Sequence, residues 1–562
     1  MRRKIIRKSV FLLVSLLVCI TYALANTYTL KDVTAFGAKA DDGKDDTSAL
    51  RAAAAYCRNH PGTTLFFPPG IYQLRDENAI QLEKDVLSGK MGENPEKVIF
   101  TPYYPYIKGI DLLGAKDITI LAHQATLLCE GWMEPISIDH CKNVRICGLT
   151  IDYKRKPFST GEVTDITPQY FDIQFGDNHI ITEKIPLMRM TFWLPEGNYM
   201  HPDPIYFPKR ELLGNNKVRF HQSIPQHLVG SVAGVIHSFH FRPGILIHKS
   251  EDTRLDGVTI HSQPGMGIVG FDSKNIFIER LSVIPSSGYY FSTNTDATHF
   301  ACCKGVIHFN GCHFRGQGDD ATNVHGYYQT ILSCQGNRAE LQIKAPTYTH
   351  AQVADVPRIG DLLELVEINT LRPIRTYEVK GVNHEKKSIV CSVTLSDTLP
   401  ANPRDYYLMN ISKLPKLVFE NSLIDSHLAR GVLVKTRNVL IQNNVFRQGT
   451  GTAIHVGAEA GWHEGSHAKN VIIRNNLINK CGLGSGNQNG ACGIAVNIMA
   501  QDISSSFLHD SIHIEGNLIS GAGNPCGIYV GNADRVVLKQ NQITNCKQNI
   551  HTHCVRNLQI DK

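Results

Sequence analysis

With 562 residues, only 19% of them charged, and 46 Gly and 25 Pro, the chain is excluded from the long coiled coils and from disordered polymers. Its formal charge of +6 is mostly an N-terminal matter: five of the 57 basic residues (Arg2, Arg3, Lys4, Arg7 and Lys8) precede the body, leaving 52 against 51 acids. A near-neutral body offers no electrostatic reason for nucleic acid or an anionic membrane as partner.

Those five bases are followed by the apolar run Val10–Ile20 and by Ala23-Leu24-Ala25, the pattern of a secretory signal peptide over residues 1–25 cleaved near Ala25. Val18 before Cys19 is too large for lipoprotein processing, and no later apolar stretch is long enough to span a bilayer. The expectation is a bacterial protein, periplasmic or secreted, with no membrane insertion after cleavage. Fourteen of the 15 Cys lie beyond the leader. Cys147, Cys312, Cys391 and Cys492 sit in apolar strand-like runs and are expected as free, packed thiols, and no C-x-x-C pair suggests zinc.

The mature chain opens with Val33-Thr-Ala-Phe-Gly-Ala-Lys-Ala-Asp41 and Asp45-Asp46-Thr47, whose aspartates are placed to cap a helix through Ala49–Cys57. Residues 26–157 are expected to form this N-terminal cap and the first coils, with later coils at Ile118–Leu121 and Val144–Ile151. Residues 158–238, rich in Pro, and residues 329–412, with alternating runs such as Leu362–Ile368, break the rhythm and predict antiparallel β insertions. Between them, 239–328 predicts central coils, and 413–562 the C-terminal ones. There the repeat is clearest: Val439–Asn444, Val471–Asn476, Ile512–Asn517 and Val536–Asn541 each read as a period-2 strand ending in Asn. One such coil cannot bury its own apolar face, so the pattern predicts a solenoid, an all-β parallel β-helix, with the asparagines stacked as a ladder.

The chemistry is expected at residues 292–326. Asp296-Ala-Thr-His-Phe300 and Asp320-Ala-Thr-Asn-Val324 share a template one 24-residue coil apart. Equivalent positions on adjacent coils lie about 4.8 Å apart, which stacks Asp296 on Asp320. Asp319 adds a third carboxylate beside them, and Gly316 and Gly318 allow a bend or bulge that brings Asp319 and Asp320 both outward. Carboxylates so close repel, so at least one keeps its proton while another stays charged, an acid and a base on one wall. Glycoside hydrolysis needs that pair; a calcium site is the competing use of the same residues.

The opening segment and Leu65-Phe-Phe-Pro-Pro-Gly-Ile-Tyr72 resemble the pectate-lyase-like superfamily, which implies a right-handed parallel β-helix and export and leaves the chemistry open. Asp296-Ala-Thr-His299 and Asp319-Asp320-x-x-Asn323-x-His325-Gly326 are similar to glycoside hydrolase family 110, exported exo-α-1,3-galactosidases acting on blood-group-B-type glycans. One Asp followed by an Asp pair and His-Gly is also similar to the family 28 polygalacturonases. The resemblance implies inverting hydrolysis of a glycan bearing terminal α-galactose, without cofactor or metal, with Asp319 as general acid and Asp296 and Asp320 holding the water. His325, Asn323, His299, Arg430, Lys435, His455, Glu459 and Trp462 are candidates for substrate binding, and Tyr289 and Tyr290 for stacking on galactose. A polygalacturonase-like endo-hydrolase, a calcium-dependent lyase and a carbohydrate-binding adhesin are the alternatives.

Overall fold

The computed structural model describes residues 29–561 except 102–103, 197, 344–354, 387 and 505. The leader expected over 1–25 lies outside the described residues. Among them, no helix is long and apolar enough to cross a membrane.

Short alternating segments dictate the architecture. In Lys469–Arg474, Val471 and Ile473 turn inward while their neighbours face water, and the same positions recur one coil away. Ile276, Ile307, Leu417, Val439, Val471 and Ile512 form one column, each hydrogen-bonded in parallel register to the next. Stacking these coils makes the parallel β-helix, whose apolar interior runs continuously from Val33 to Leu538.

The asparagine ladder is present. The backbone N–H and side-chain amide of Asn444 both donate to Asn476 Oδ1 at 3.0 Å, and those of Asn476 donate to Asn517 Oδ1 at 3.0 and 2.9 Å. Asn517 continues onto Asn541 in the same way. Each side chain also donates to a strand carbonyl, Asn476 to Ile441 at 3.1 Å. These groups are buried, so removing one rung leaves unpaired donors on its neighbour. Asn476→Ala is expected to destabilise the chain by about 1–3 kcal/mol, seen as a lower urea midpoint; an unchanged midpoint would make the ladder incidental.

At the N-terminal end, helix Thr47–Asn59 turns Leu50, Ala53, Ala54 and Cys57 into the same core. Capping differs from expectation. Asp45 Oδ1 accepts from Thr47 N at 2.9 Å, whereas the Asp46 carboxylate accepts from Lys39 N and Gln73 N and so ties two loops to the helix start. Two further helices, Glu77–Leu87 and Glu96–Ile99, were not signalled by the repeat pattern.

Antiparallel strands interrupt the solenoid twice. Phe158–Ile166, Arg189–Leu194 and Val232–Ile236 form the centre of a separate sheet with its own core of Val163, Ile173, Phe192 and Val235. This sheet leans on the coils: Met200 N donates to Ser426 Oγ at 2.7 Å, Ser485 N donates to the Pro202 carbonyl at 3.1 Å, and Trp193 stacks on Tyr290. The second interruption begins inside a coil strand. Thr322–Gln335 pairs in parallel with Thr298–Ala301 and Val432–Val434, then runs on antiparallel to Arg338–Gln342 and Tyr406–Asn410. The chain then resumes the stack in register, Asn323 opposite Leu433.

Cys147, Cys312, Cys391 and Cys492 are buried free thiols, and burial pushes Cys312 and Cys391 up to about 12.

Candidate active site

The register that stacks the core also stacks the carboxylates. Thr298 faces Thr322 and Ala297 N donates to the Asp320 carbonyl at 3.0 Å, so Asp296 and Asp320 occupy equivalent places on successive coils. Asp319 joins them through the bend at Gly316, whose φ of +70° is left-handed backbone. One carboxylate oxygen from each of Asp296, Asp319 and Asp320 lies within 4.8 Å of the others. Asp296 and Asp320 are buried and Asp319 is the most open of the three. The bend keeps Asp319 beside the stacked pair.

The next coil supplies the counter-charge. Thr322 faces Val432, which sets Arg430 over Asp320. Arg430 donates to Asp320 from its backbone N (2.8 Å), Nε (2.9 Å) and Nη2 (2.9 Å), engaging both oxygens, and its Nη1 donates to Glu459 at 2.8 Å. Lys435 is wholly buried between Glu459 and Glu464, and Asn323 Nδ2 donates to Glu464 at 3.1 Å. Against the penalty of burial, Lys435 and Arg430 hold Glu459 down to about 2. Asp319 shows the opposite: burial first, then repulsion from Asp320 and Asp296, push it up to about 8. Burial and Asp320 likewise raise Asp296 well above the usual carboxylate range.

The expected sugar-binding residues divide by depth. Lys435, His325 and His455 have no exposed surface, a correction to their expected contact with sugar: Lys435 holds Glu459 and Glu464, His325 contacts His299, and His455 contacts Asn497. Charge on a solenoid strand ordinarily points to water; here the returning strand Glu464–Gly465, antiparallel to Gly326-Tyr327, covers that face. His455 Nε2 contacts Asn497 Oδ1 at 2.6 Å. His299 lies behind Asp296, its Nδ1 2.6 Å from Asp296 Oδ2, and contacts His325. Trp462 is 43% exposed at the turn before Glu464, while Tyr289 packs over Lys156 and Tyr290 against Trp193.

Three residues were missed by sequence reasoning. Arg189, at the start of an insertion strand, is buried, donates to the Asn294 carbonyl at 2.6 Å and places its positive field on Asp319. It reaches there because residue 318 is glycine: a Cβ would sit 2.1 Å from Arg189 Nη2 and 2.3 Å from the Asn294 carbonyl oxygen. His240 pairs with Glu96 at 2.7 Å beside Asp296 and Asp319; against the effect of burial, that partner raises it. Glu464 is the third. None of these shares the spacing of a coil with the triad.

The chain is 27% identical over 501 residues to α-1,3-galactosidase B of Bacteroides thetaiotaomicron, covering 83% of this chain and 77% of the relative. It is a distant homologue of α-1,3-galactosidases. The A-type enzyme of Bacteroides fragilis is also 27% identical, over 520 residues, with 86% and 82% of the two chains covered. Among solved structures, the A-module of Azotobacter vinelandii mannuronan C-5 epimerase AlgE4 aligns with 93% of this chain and 99% of its own, at 12% identity and a TM-score of 0.42. No family model matches the chain.

Proposed function

We propose that this chain is an exported, exo-acting α-1,3-galactosidase that hydrolyses terminal α-linked galactose from oligosaccharides, working in the periplasm or outside the cell. The observation that carries this reading is the aspartate triad itself: Asp319 raised to about 8 beside an Asp320 carboxylate locked by Arg430. An acid that keeps its proton at neutral pH, next to a carboxylate that is held in place, is the equipment for breaking a glycosidic bond.

In this account Asp319, the most open of the three, protonates the leaving oxygen. As it does so it becomes a carboxylate facing the buried guanidinium of Arg189, which stabilises the charge that develops. Asp320 and Asp296 flank the water. Support for exo action comes from the first insertion, which packs on the coils that follow the triad, at Ser426 and Ser485, where an internal stretch of polymer would have to continue.

The rival chemistries fit the residues less well. A lyase needs an Arg or Lys free to abstract a proton, and both Arg430 and Lys435 are tied to carboxylates. Calcium at the triad would enter a space already faced by Arg430 and Arg189. The test is a panel of linear α-1,3-galactobiose, the fucose-branched B trisaccharide, an α-1,6-linked galactoside and polygalacturonate, each with and without a chelator. Free galactose from the first two only, unaffected by chelation, is expected. Shortening of polygalacturonate would transfer the case to an endo-hydrolase, and loss of activity on chelation to a metal-dependent enzyme.

A further inference from the structure

The buried contacts behind Asp296, together with burial that disfavours a charged ring, assign the protons. His325 Nδ1 lies 3.0 Å from the Gly326 carbonyl oxygen, which can only accept, so Nδ1 carries the hydrogen. His325 Nε2 and His299 Nε2 are 2.6 Å apart, a contact that requires one hydrogen between them. With His325 neutral, that hydrogen belongs to His299 Nε2. His299, also neutral, then offers a bare Nδ1 to Asp296 Oδ2 at 2.6 Å, and the hydrogen in that bond must come from Asp296.

Both rings are buried, which disfavours their cationic forms and pushes His299 down to about 4 and His325 to about 3. The charged groups facing them are Glu464, Lys435, Asp320 and His240. Glu464 Oε1 is 3.6 Å from His325 Nε2, beyond hydrogen-bond reach, and its other oxygen is taken by Lys435 and Asn323. Arg189, Arg430 and Lys435 match Asp320, Glu459 and Glu464 in charge, and burial favours the form of the Asp296–His299 pair that carries no separated charges.

We propose that Asp296 carries a proton in the resting site and that His299 and His325 form a relay that takes this proton when the attacking water gives one up. The relay rests on the hydrolytic reading of the triad. The water's proton arrives at Asp296 Oδ1 as the Oδ2 proton passes to His299 Nδ1; the His299 Nε2 proton passes to His325 Nε2. Oxygen of the former water bonds to the sugar carbon while the bond to the leaving oxygen, protonated by Asp319, breaks. His325 ends as an imidazolium between the Gly326 carbonyl and Glu464, and before the next turnover the proton returns along the same path to Asp296 and passes through a water to the Asp319 carboxylate, which restores the acid. A carboxylic acid with an acceptor behind it thus acts as a base without starting as an anion. His299 and His325 work through Asp296 and need no contact with sugar.

The test is nitrogen NMR of the full-length protein labelled with 15N-histidine, the two rings assigned by His299→Gln and His325→Gln. At neutral pH, His299 is expected to show a bare Nδ1 and a protonated Nε2, and His325 the reverse. Asp296→Asn is expected to leave both patterns unchanged, because the amide N–H donates to His299 Nδ1 as the acid did. Protonation at His299 Nδ1 in the wild-type protein would overturn the inference, as would a change of its ring state in Asp296→Asn. His325→Gln keeps an acceptor for His299 but cannot take up a proton, so kcat is expected to fall about 100-fold with KM little changed; an unchanged kcat would remove the relay. If the wild-type protein releases no galactose from any α-galactoside, the hydrolytic reading fails by that result, while the nitrogen spectra still decide where the proton sits.

Discussion

Asp319→Asn is expected to lower kcat on an α-1,3-galactoside by about 10²–10⁴-fold, the range that a positioned general acid supplies. Asparagine preserves the shape and leaves the buried cations in place, so the loss reports the missing proton and not a collapsed site. The pH dependence has a definite sign. Asp319 works while protonated and is raised to about 8 by burial and by its two neighbours, so activity is expected to hold through neutral pH and to fall as pH rises through about 8. Asp320→Asn and Asp296→Asn are expected to cost a similar order of magnitude for a different reason, loss of the groups that hold and deprotonate the water. Circular dichroism and the thermal midpoint check that each variant stays folded. Full activity in any one of them would remove that residue from the mechanism.

Arg430→Ala is expected to have the largest effect on stability, about 3–5 kcal/mol, because it strands partners that are already out of water. Its guanidinium satisfies both oxygens of Asp320 and one of Glu459, and neither carboxylate can turn to solvent from a strand sandwiched between coils. Arg430→Lys should recover only part of this, since an ammonium cannot span the same two carboxylates with a planar fork. Urea unfolding measures the loss. The double variant Arg430→Ala with Asp320→Asn should be less destabilised than the two single effects combined, because removing the stranded charge relieves the penalty. An Arg430→Ala midpoint equal to wild type would mean that the pair contributes nothing to holding the coil.

Much of this arrangement was legible in the sequence for one physical reason: a solenoid converts a fixed sequence offset into a fixed spatial step. The 24-residue offset between Asp296 and Asp320 is one coil, and the structure stacks them. The Asn at the end of each C-terminal strand follows the same rule, from Asn444 to Asn541. Arg430 obeys it too, but only after an interruption whose length the sequence does not reveal; its place over Asp320 depends on the coil resuming in register at Leu433. Residues that arrive by other routes were hidden. Arg189 comes from an antiparallel sheet, His240 follows that sheet's last strand, and Glu464 returns on a chain reversal through a left-handed His463. Their approach is set by tertiary packing that no period encodes. The depth of Lys435 and His455 was hidden for the same reason, since an isolated strand with outward Lys or His looks solvated until the covering segment is known.

The spacing of the triad bears on stereochemistry. A separation of about 6.5–9.5 Å ordinarily leaves room for water in an inverting hydrolase, and about 5–5.5 Å suits a retaining one. The nearest oxygens here lie within 4.8 Å. Inversion on this site therefore requires the water to be held beside Asp296 and Asp320 while Asp319 reaches the leaving oxygen from the same wall. Proton NMR of linear α-1,3-galactobiose during the first minutes of hydrolysis tests the account most directly, because one spectrum reports both bond cleavage and the anomer formed. Free galactose is expected to appear first as the β anomer with the wild-type protein and not above background with Asp319→Asn; release of galactose by Asp319→Asn at the wild-type rate would remove Asp319 as the acid, and α-galactose as the first product would rule out direct attack by water.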